Sequence, residues 1–120
     1  MDMTRQNYGD VAVITCLEDR LDAVIAVQFK DKFRELSKEP AARFVLDMSR
    51  VAFMDSSGLG AVVAVYKSLN REIGFELAEP TSLVDRVFRL TRMDTVFAIH
   101  DSLADALRLK GDQHDMRTAS

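Results

Sequence analysis

Two neighbouring hydroxyls, Ser56 and Ser57, follow Asp55 where a short apolar run gives way to an amphipathic one. This change of pattern predicts a helix start, where backbone N–H groups are unpaired and the helix dipole is positive. A hydroxyl at such a position can carry a phosphate. The nearby glycines, Gly58 and Gly60, would let a second protein approach the backbone closely. The segment therefore favours a charge-controlled switch over a catalyst.

A simpler interpretation is that residues 55–57 only cap the helix, which is the commonest role of these residue types. A cap accounts for one residue. It gives no role to the second hydroxyl, to the two glycines or to the flanking side chains of Met54 and Leu59. We expect these two flanking side chains to be exposed. Asp22 has the same two interpretations, as a cap of the first helix or as a contact for a partner.

Catalytic and metal chemistry find little support in the sequence. The Gly-x-Ser-x-Gly pattern of a nucleophile elbow is absent, because Met54 precedes Asp55. His100 and His114 are too far apart for a local metal motif, and Cys16 is the single cysteine. We therefore expect no enzyme activity, no metal and no cofactor.

The composition and charge of the chain narrow the range of possible partners. The chain of 120 residues has 16 basic and 19 acidic side chains, which are interspersed, so it has no basic patch for nucleic acid. One cysteine permits no internal disulfide, which fits a reducing compartment. The N-terminus lacks the apolar core of a secretory signal, and no run approaches the roughly 20 apolar residues of a membrane span. We expect a cytoplasmic protein without direct membrane insertion.

Periodicity along the chain predicts alternating strands and helices. The first half of the chain is predicted to form a hairpin around the turn at 8–10, a helix from Asp22 to Pro40, a strand at 44–48 and a helix from the serine turn to Gly74. The second half is predicted to form a strand at 75–78, a helix opened by a Ser82–Asp85 capping box, and a strand at 96–99. A closing helix follows, which is capped by Asp101 or Ser102 and includes Leu109, with Gly111 beyond it.

This order predicts a single α/β domain over residues 1–110, with a mixed, mostly parallel sheet, helices packed against it and an antiparallel strand at one edge. Residues 111–120 are polar and without periodicity, which predicts a flexible C-terminal tail. In sheets of this kind the functional crevice lies beyond the carboxyl ends of the strands, where the serine turn also falls.

The segment 45–49, followed by 51–60, resembles the signature of STAS-domain anti-anti-sigma factors. The resemblance extends to the Leu-Asp element at 20–22, to residues 73–77 and to residues 102–107, so that it covers about residues 5 to 110. Two positions depart from the family pattern. Acidic residues at 18–19 replace a glycine before the Leu-Asp element, and Ile73 replaces one of two glycines before a strand.

The resemblance implies a single STAS domain that acts as an anti-sigma factor antagonist by partner switching. When unmodified, such a protein binds an anti-sigma factor that is also an ATP-dependent serine kinase. Phosphorylation of the hydroxyl directly after the aspartate, here Ser56, ends this binding, and a serine phosphatase of the same pathway would restore it. The expected partner contacts are Asp22, Met54, Asp55, Ser57, Gly58, Leu59 and Gly60.

Two further expectations concern a substitution at Gly58 and an alternative function. A larger side chain at Gly58 is expected to block the partner by bulk without unfolding the domain, because glycine has no side chain to shield the surface. The alternative function is that of a small STAS subunit of a membrane transport assembly of the ABC type. There the same surface would bind an ATPase and phosphorylation would be irrelevant.

Overall fold

The structure is a computed structural model that describes residues 1–108. The strands are β1 (Met3–Tyr8), β2 (Val11–Cys16), β3 (Arg20–Leu21), β4 (Arg43–Asp47), β5 (Phe53–Met54), β6 (Gly74–Ala78) and β7 (Ile99–His100). The helices are α1 (Ala26–Leu36), α2 (Ser56–Ser68), α3 (Ser82–Leu90), a 3₁₀ helix (Met93–Thr95) and α4, described over 103–108. Leu109, Gly111 and the expected tail at 111–120 lie outside the described residues.

A five-stranded sheet in the order β1-β2-β4-β6-β7 forms the centre of the fold. β1 pairs with β2 as an antiparallel hairpin around Gly9, whose φ of +64° suits the tight turn. The remaining neighbours in this sheet are parallel. The predicted α/β fold, with a mixed, mostly parallel sheet and an antiparallel edge, is therefore confirmed.

Three of the predicted helix boundaries are wrong. α1 begins at Ala26, so Asp22 is not its cap. α2 ends at Ser68, and Gly74 is the first residue of β6 rather than the stop of the helix. α3 is preceded by Thr81, whose hydroxyl donates to the carbonyl oxygen of Val51 at 2.8 Å, so no side chain caps this helix. In each case a tertiary contact or a turn overrides the local signal.

The C-terminal part of the described chain differs from expectation in one element and agrees in another. The strand predicted at 96–99 is replaced by the 3₁₀ helix and the two-residue β7, because Arg92 adopts a left-handed φ of 62° and turns the chain after α3. The closing helix begins as expected, since Ser102 Oγ accepts the N–H of Asp105 at 2.9 Å. No helix within residues 1–108 is long and apolar enough to span a membrane.

The sheet separates a large core from a small one. In β2, Ala12, Ile14 and Cys16 face the large core, whereas Val11 and Val13 face the small one. The large core is rich in aromatic rings from α1, β4, β6 and the loop before β7, with centroids 5.5–6.4 Å apart. Burial raises the pKa of the Cys16 thiol, which is fully buried.

α4 covers the small core and is held there by a cluster of polar side chains centred on the buried Arg43. Arg43, which is 5% exposed, pairs with Glu76 and donates to the carbonyl oxygen of Ala106 at 2.9 Å. Glu76 also bonds the His100 ring at 2.8 Å. A buried ion pair adds little net stability over an apolar pair, but it specifies which groups must meet. Arg43 therefore sets the position of α4 on the sheet.

We expect Arg43→Ala to lower the free energy of unfolding by about 3 kcal/mol, the low end of the cost of breaking a buried pair, because Glu76 keeps His100 as a partner. The measurement is urea denaturation followed by circular dichroism. Arg34→Ala is the control, since Arg34 and Asp31 form an exposed ion pair on α1 that is worth about 0.5 kcal/mol or less. Equal losses in the two variants would contradict the role given to Arg43.

Candidate functional site

The small sheet of β3 and β5 joins two distant chain segments at one place. The strands are parallel, and Leu21 pairs with Met54 while Arg20 pairs with Phe53. The Arg20 guanidinium lies 4.5 Å from the centre of the Phe53 ring. This pairing sets the β3–α1 loop (residues 22–25) beside the serine turn at the start of α2.

Asp55 links that loop to α2. It is the N-cap of the helix, and its Oδ1 accepts the N–H of Gly58 at 3.0 Å. Its Oδ2 accepts the N–H of Ala23 in the loop at 3.3 Å. Its own N–H donates to the carbonyl oxygen of Leu21 at 3.4 Å. The simple cap expected for residues 55–57 is therefore present, but the same carboxylate also binds a second segment.

Two predicted contact residues are buried. The expectation that Met54 is exposed is wrong, because the side chain is 3% exposed and packs in the large core with Leu21. Gly58 is buried as well, and a Cβ atom there would lie 1.9 Å from the carbonyl oxygen of Leu21. A large side chain at Gly58 would therefore disturb the fold, contrary to expectation. Both residues shape the site from beneath.

The exposed part of the turn consists of Ser56, Ser57 and Gly60, with Leu59 partly packed on the core. Ser56 is the first residue of α2. Neither serine hydroxyl forms a hydrogen bond with another residue in the described part of the chain. Both are therefore open to solvent.

Asp22 lies in the loop beside this turn and forms an ion pair with Arg20 at 3.1 Å. Its Oδ1 accepts the N–H of Val24, and its carbonyl oxygen accepts the N–H of Ile25. The bond from Arg20 is the largest cause of a lowered Asp22 pKa, assisted by the backbone N–H groups and partly opposed by burial. Asp22 thus stays ionised at the edge of the site and shapes the loop.

Sequence reasoning missed two exposed valines, Val24 in the loop beside the site and Val27 in the first turn of α1. Val24 is 86% exposed and Val27 is 61% exposed. Val24 directly follows Ala23, the residue that bonds Asp55. The available signal was their position off the helical stripe that contains Phe29 and Phe33, since apolar residues off the core face of a helix are candidates for contact with a partner.

The remaining polar groups near the turn are structural. Asp47 Oδ1 accepts the N–H of Ser49 at 2.9 Å and so shapes the turn after β4. Within residues 1–108, no group of three or more His, Cys, Asp or Glu side chains is arranged to hold a metal ion. What the site presents is a pair of hydroxyls, acidic side chains and exposed apolar side chains at a helix start.

The mixed five-stranded sheet and the helix that opens at the exposed serine turn define a small α/β domain. Residues 2–106 match the family model of the STAS domain, and the chain belongs to that family. The anti-sigma-F factor antagonist RsfB of Mycobacterium tuberculosis is 25% identical over 105 residues, covering 88% of this chain and 85% of RsfB.

Solved structures show the same fold. The crystal structure of an anti-sigma factor antagonist from Mycobacterium paratuberculosis superposes with a TM-score of 0.82 at 26% identity, covering 90% of this chain and 92% of that one. The Bacillus cell fate determinant SpoIIAA in its phosphorylated form superposes with a TM-score of 0.63 at 19% identity, covering 89% and 97%. This second likeness concerns the fold alone.

We expect Gly58→Ala to destabilise the domain by about 3 kcal/mol, because the added methyl group must displace the backbone of Leu21. Gly60→Ala is the matched control in the same helix. A Cβ there meets nothing within 4 Å, so the change should stabilise the domain by about 0.5–1 kcal/mol. Thermal and urea unfolding would measure both, and a Gly58→Ala variant as stable as the parent would refute the close contact.

Proposed function

We propose that this STAS protein is an anti-sigma factor antagonist that works in the cytoplasm by partner switching, with Ser56 as the phosphorylated residue. The observation that carries the proposal is the exposed Ser56 hydroxyl at the first position of α2, directly after the Asp55 cap. The relatives named as anti-sigma factor antagonists support it. In the unmodified state the protein binds an anti-sigma factor that is also a serine kinase.

The binding surface combines the serine turn with the β3–α1 loop and the first turn of α1. Its exposed members are Ser56, Ser57 and Gly60, together with part of Leu59 and Asp22 and the valines at 24 and 27. Apolar side chains at the centre of an interface contribute more binding energy than polar ones at its rim. The valines therefore supply affinity, and the serine turn supplies control.

Phosphorylation ends binding through charge. A phosphate on Ser56 adds a charge of about −1.5 to −2 at neutral pH, beside the carboxylate of Asp55. In a desolvated interface this charge is unpaired and costly. The same phosphate is favoured within its own chain by the N–H groups and the dipole at the start of α2, so the fold persists. A serine phosphatase of the same pathway then restores the binding state.

The first prediction concerns the modified residue. With ATP and the cognate anti-sigma factor kinase, the protein should gain one phosphate, because the kinase docks on the turn and Ser56 follows Asp55 directly. Ser56→Ala should abolish the gain, and Ser57→Ala should retain it. Intact-mass and fragment spectra would measure this. A phosphate mapped to Ser57 would exclude the assignment, and binding of a transport ATPase without phosphorylation would favour the alternative function.

The second prediction concerns the valines. In the unphosphorylated protein, Val24→Ser should weaken binding to the anti-sigma factor by roughly tenfold. This corresponds to about 1.4 kcal/mol of binding free energy, as expected for the loss of an apolar contact at an interface. Its melting temperature should hardly change, because the side chain is 86% exposed. Leu90→Ser, at a 76% exposed position on α3, is the exposure-matched control. Calorimetric titration giving equal affinities for the two variants would remove Val24 from the interface.

A further inference from the structure

The β3–α1 loop is held against α2 through one side chain. Ala23 donates its N–H to Asp55 Oδ2 at 3.3 Å, and this is the bond that ties the loop itself to the helix start. The other bonds of the loop lie within it or reach its flanking elements, where Arg20 of β3 donates to the Asp22 carboxylate and Phe29 of α1 donates to the Ile25 carbonyl oxygen. Val24 donates to the Asp22 side chain and Ile25 donates to the Asp22 carbonyl oxygen. The placement of Val24 relative to the serine turn therefore depends on Asp55.

We propose that Asp55 couples the charge at Ser56 to the position of the β3–α1 loop. A phosphate on Ser56 would repel the Asp55 carboxylate, displace it from the N–H of Ala23 and so release the loop. Asp55 is then a positioning residue, whose effect on the partner is exerted through Val24. The proposal rests on the proposed function only for the identity of the phosphorylated residue.

Both oxygens of the Asp55 carboxylate are engaged, one inside α2 and one across to the loop. A phosphate on the adjacent residue repels this carboxylate and also accepts hydrogen bonds from the N–H groups of the first helical turn. Asp55 must then rearrange. The bond to Gly58 is shorter and leads to a buried residue, whereas the bond to Ala23 is longer and leads to an exposed one. The bond to Ala23 therefore breaks first.

The response stays local because the layer beneath the loop does not depend on this bond. Leu21 is fully buried, and its carbonyl oxygen lies against Gly58. β3 stays paired with β5 through backbone hydrogen bonds. A phosphate would thus change the surface in two ways, by adding charge at Ser56 and by ending the fixed placement of Val24, while the core is preserved.

The test is amide hydrogen exchange by nuclear magnetic resonance on the isolated protein, with phosphoserine introduced at position 56 during translation so that no kinase is needed. The Ala23 amide should exchange faster by roughly two- to fivefold, the effect of a charge at a helix terminus. The Val24 amide, bonded to Asp22, and the Phe33 amide within α1 should keep their rates. Phosphoserine at Ser82, the exposed first residue of α3, is the matched control and should leave Ala23 unchanged.

Asp55→Asn separates charge from hydrogen bonding. The asparagine side chain has one carbonyl oxygen, so it can accept the N–H of Gly58 or that of Ala23. The carboxylate of Asp55 uses a separate oxygen for each. In this variant the Ala23 amide should already exchange faster without phosphate. Adding phosphoserine at 56 should change that rate little, because the variant lacks the carboxylate charge that the phosphate would repel.

An unchanged Ala23 rate with phosphoserine at 56 overturns the proposal. An equal acceleration across α1 and α2 also overturns it, since it would mean unfolding. These results are independent of the proposed function, because no partner is present. If phosphoserine at 56 abolishes partner binding while Ala23 is unaffected, the function stands and the coupling fails. If Ala23 responds while no anti-sigma factor binds, the coupling stands and the function fails.

Discussion

The close approach of the Leu21 carbonyl to Gly58 is the constraint on which the site depends. Because a Cβ atom at 58 would lie 1.9 Å from that oxygen, only glycine lets β3 and α2 come this near. The approach brings Asp55 within reach of N–H groups from both segments. It also directs Ser56 and Ser57 outward, because the opposite side of the first helical turn is occupied by β3. The exposure of the hydroxyls is thus a consequence of packing beneath them.

The energy that stabilises the domain lies away from this surface. The large core is built from the aromatic side chains of α1, β4 and β6, and the small core is closed by α4 and Arg43. The serine turn adds hydrogen bonds and an exposed surface, but few buried apolar side chains of its own beyond Met54. A change of charge at Ser56 therefore acts on a part of the molecule whose contribution to global stability is small.

Sequence reasoning predicted those features that depend on local signals or on the family motif. The hairpin at Gly9, the strand β4 and the Ser102 cap follow from local signals, and the structure has them. The errors arose where distant residues decide. Met54 is buried because its two-residue strand pairs with Leu21, a contact that no periodicity in so short a segment reveals. Residue types and spacing located the serine turn and the family resemblance selected Ser56 within it, whereas the place of Val24 beside that turn depends on the loop that Asp55 holds.

The size of the required effect indicates how such a switch must operate. Reversing a binding equilibrium from 99:1 to 1:99 needs about 5.5 kcal/mol. A charge at an exposed helix terminus changes stability by only about 0.3–1 kcal/mol, so repulsion at the open surface is too weak. An unpaired charge enclosed in an interface costs about 2–5 kcal/mol, and displacement of an apolar contact adds about 1–2 kcal/mol. Together these terms reach the required value. Ser56 directly follows Asp55, whose carboxylate bonds the loop that carries Val24, so a single phosphate there can act on the interface and on the loop together.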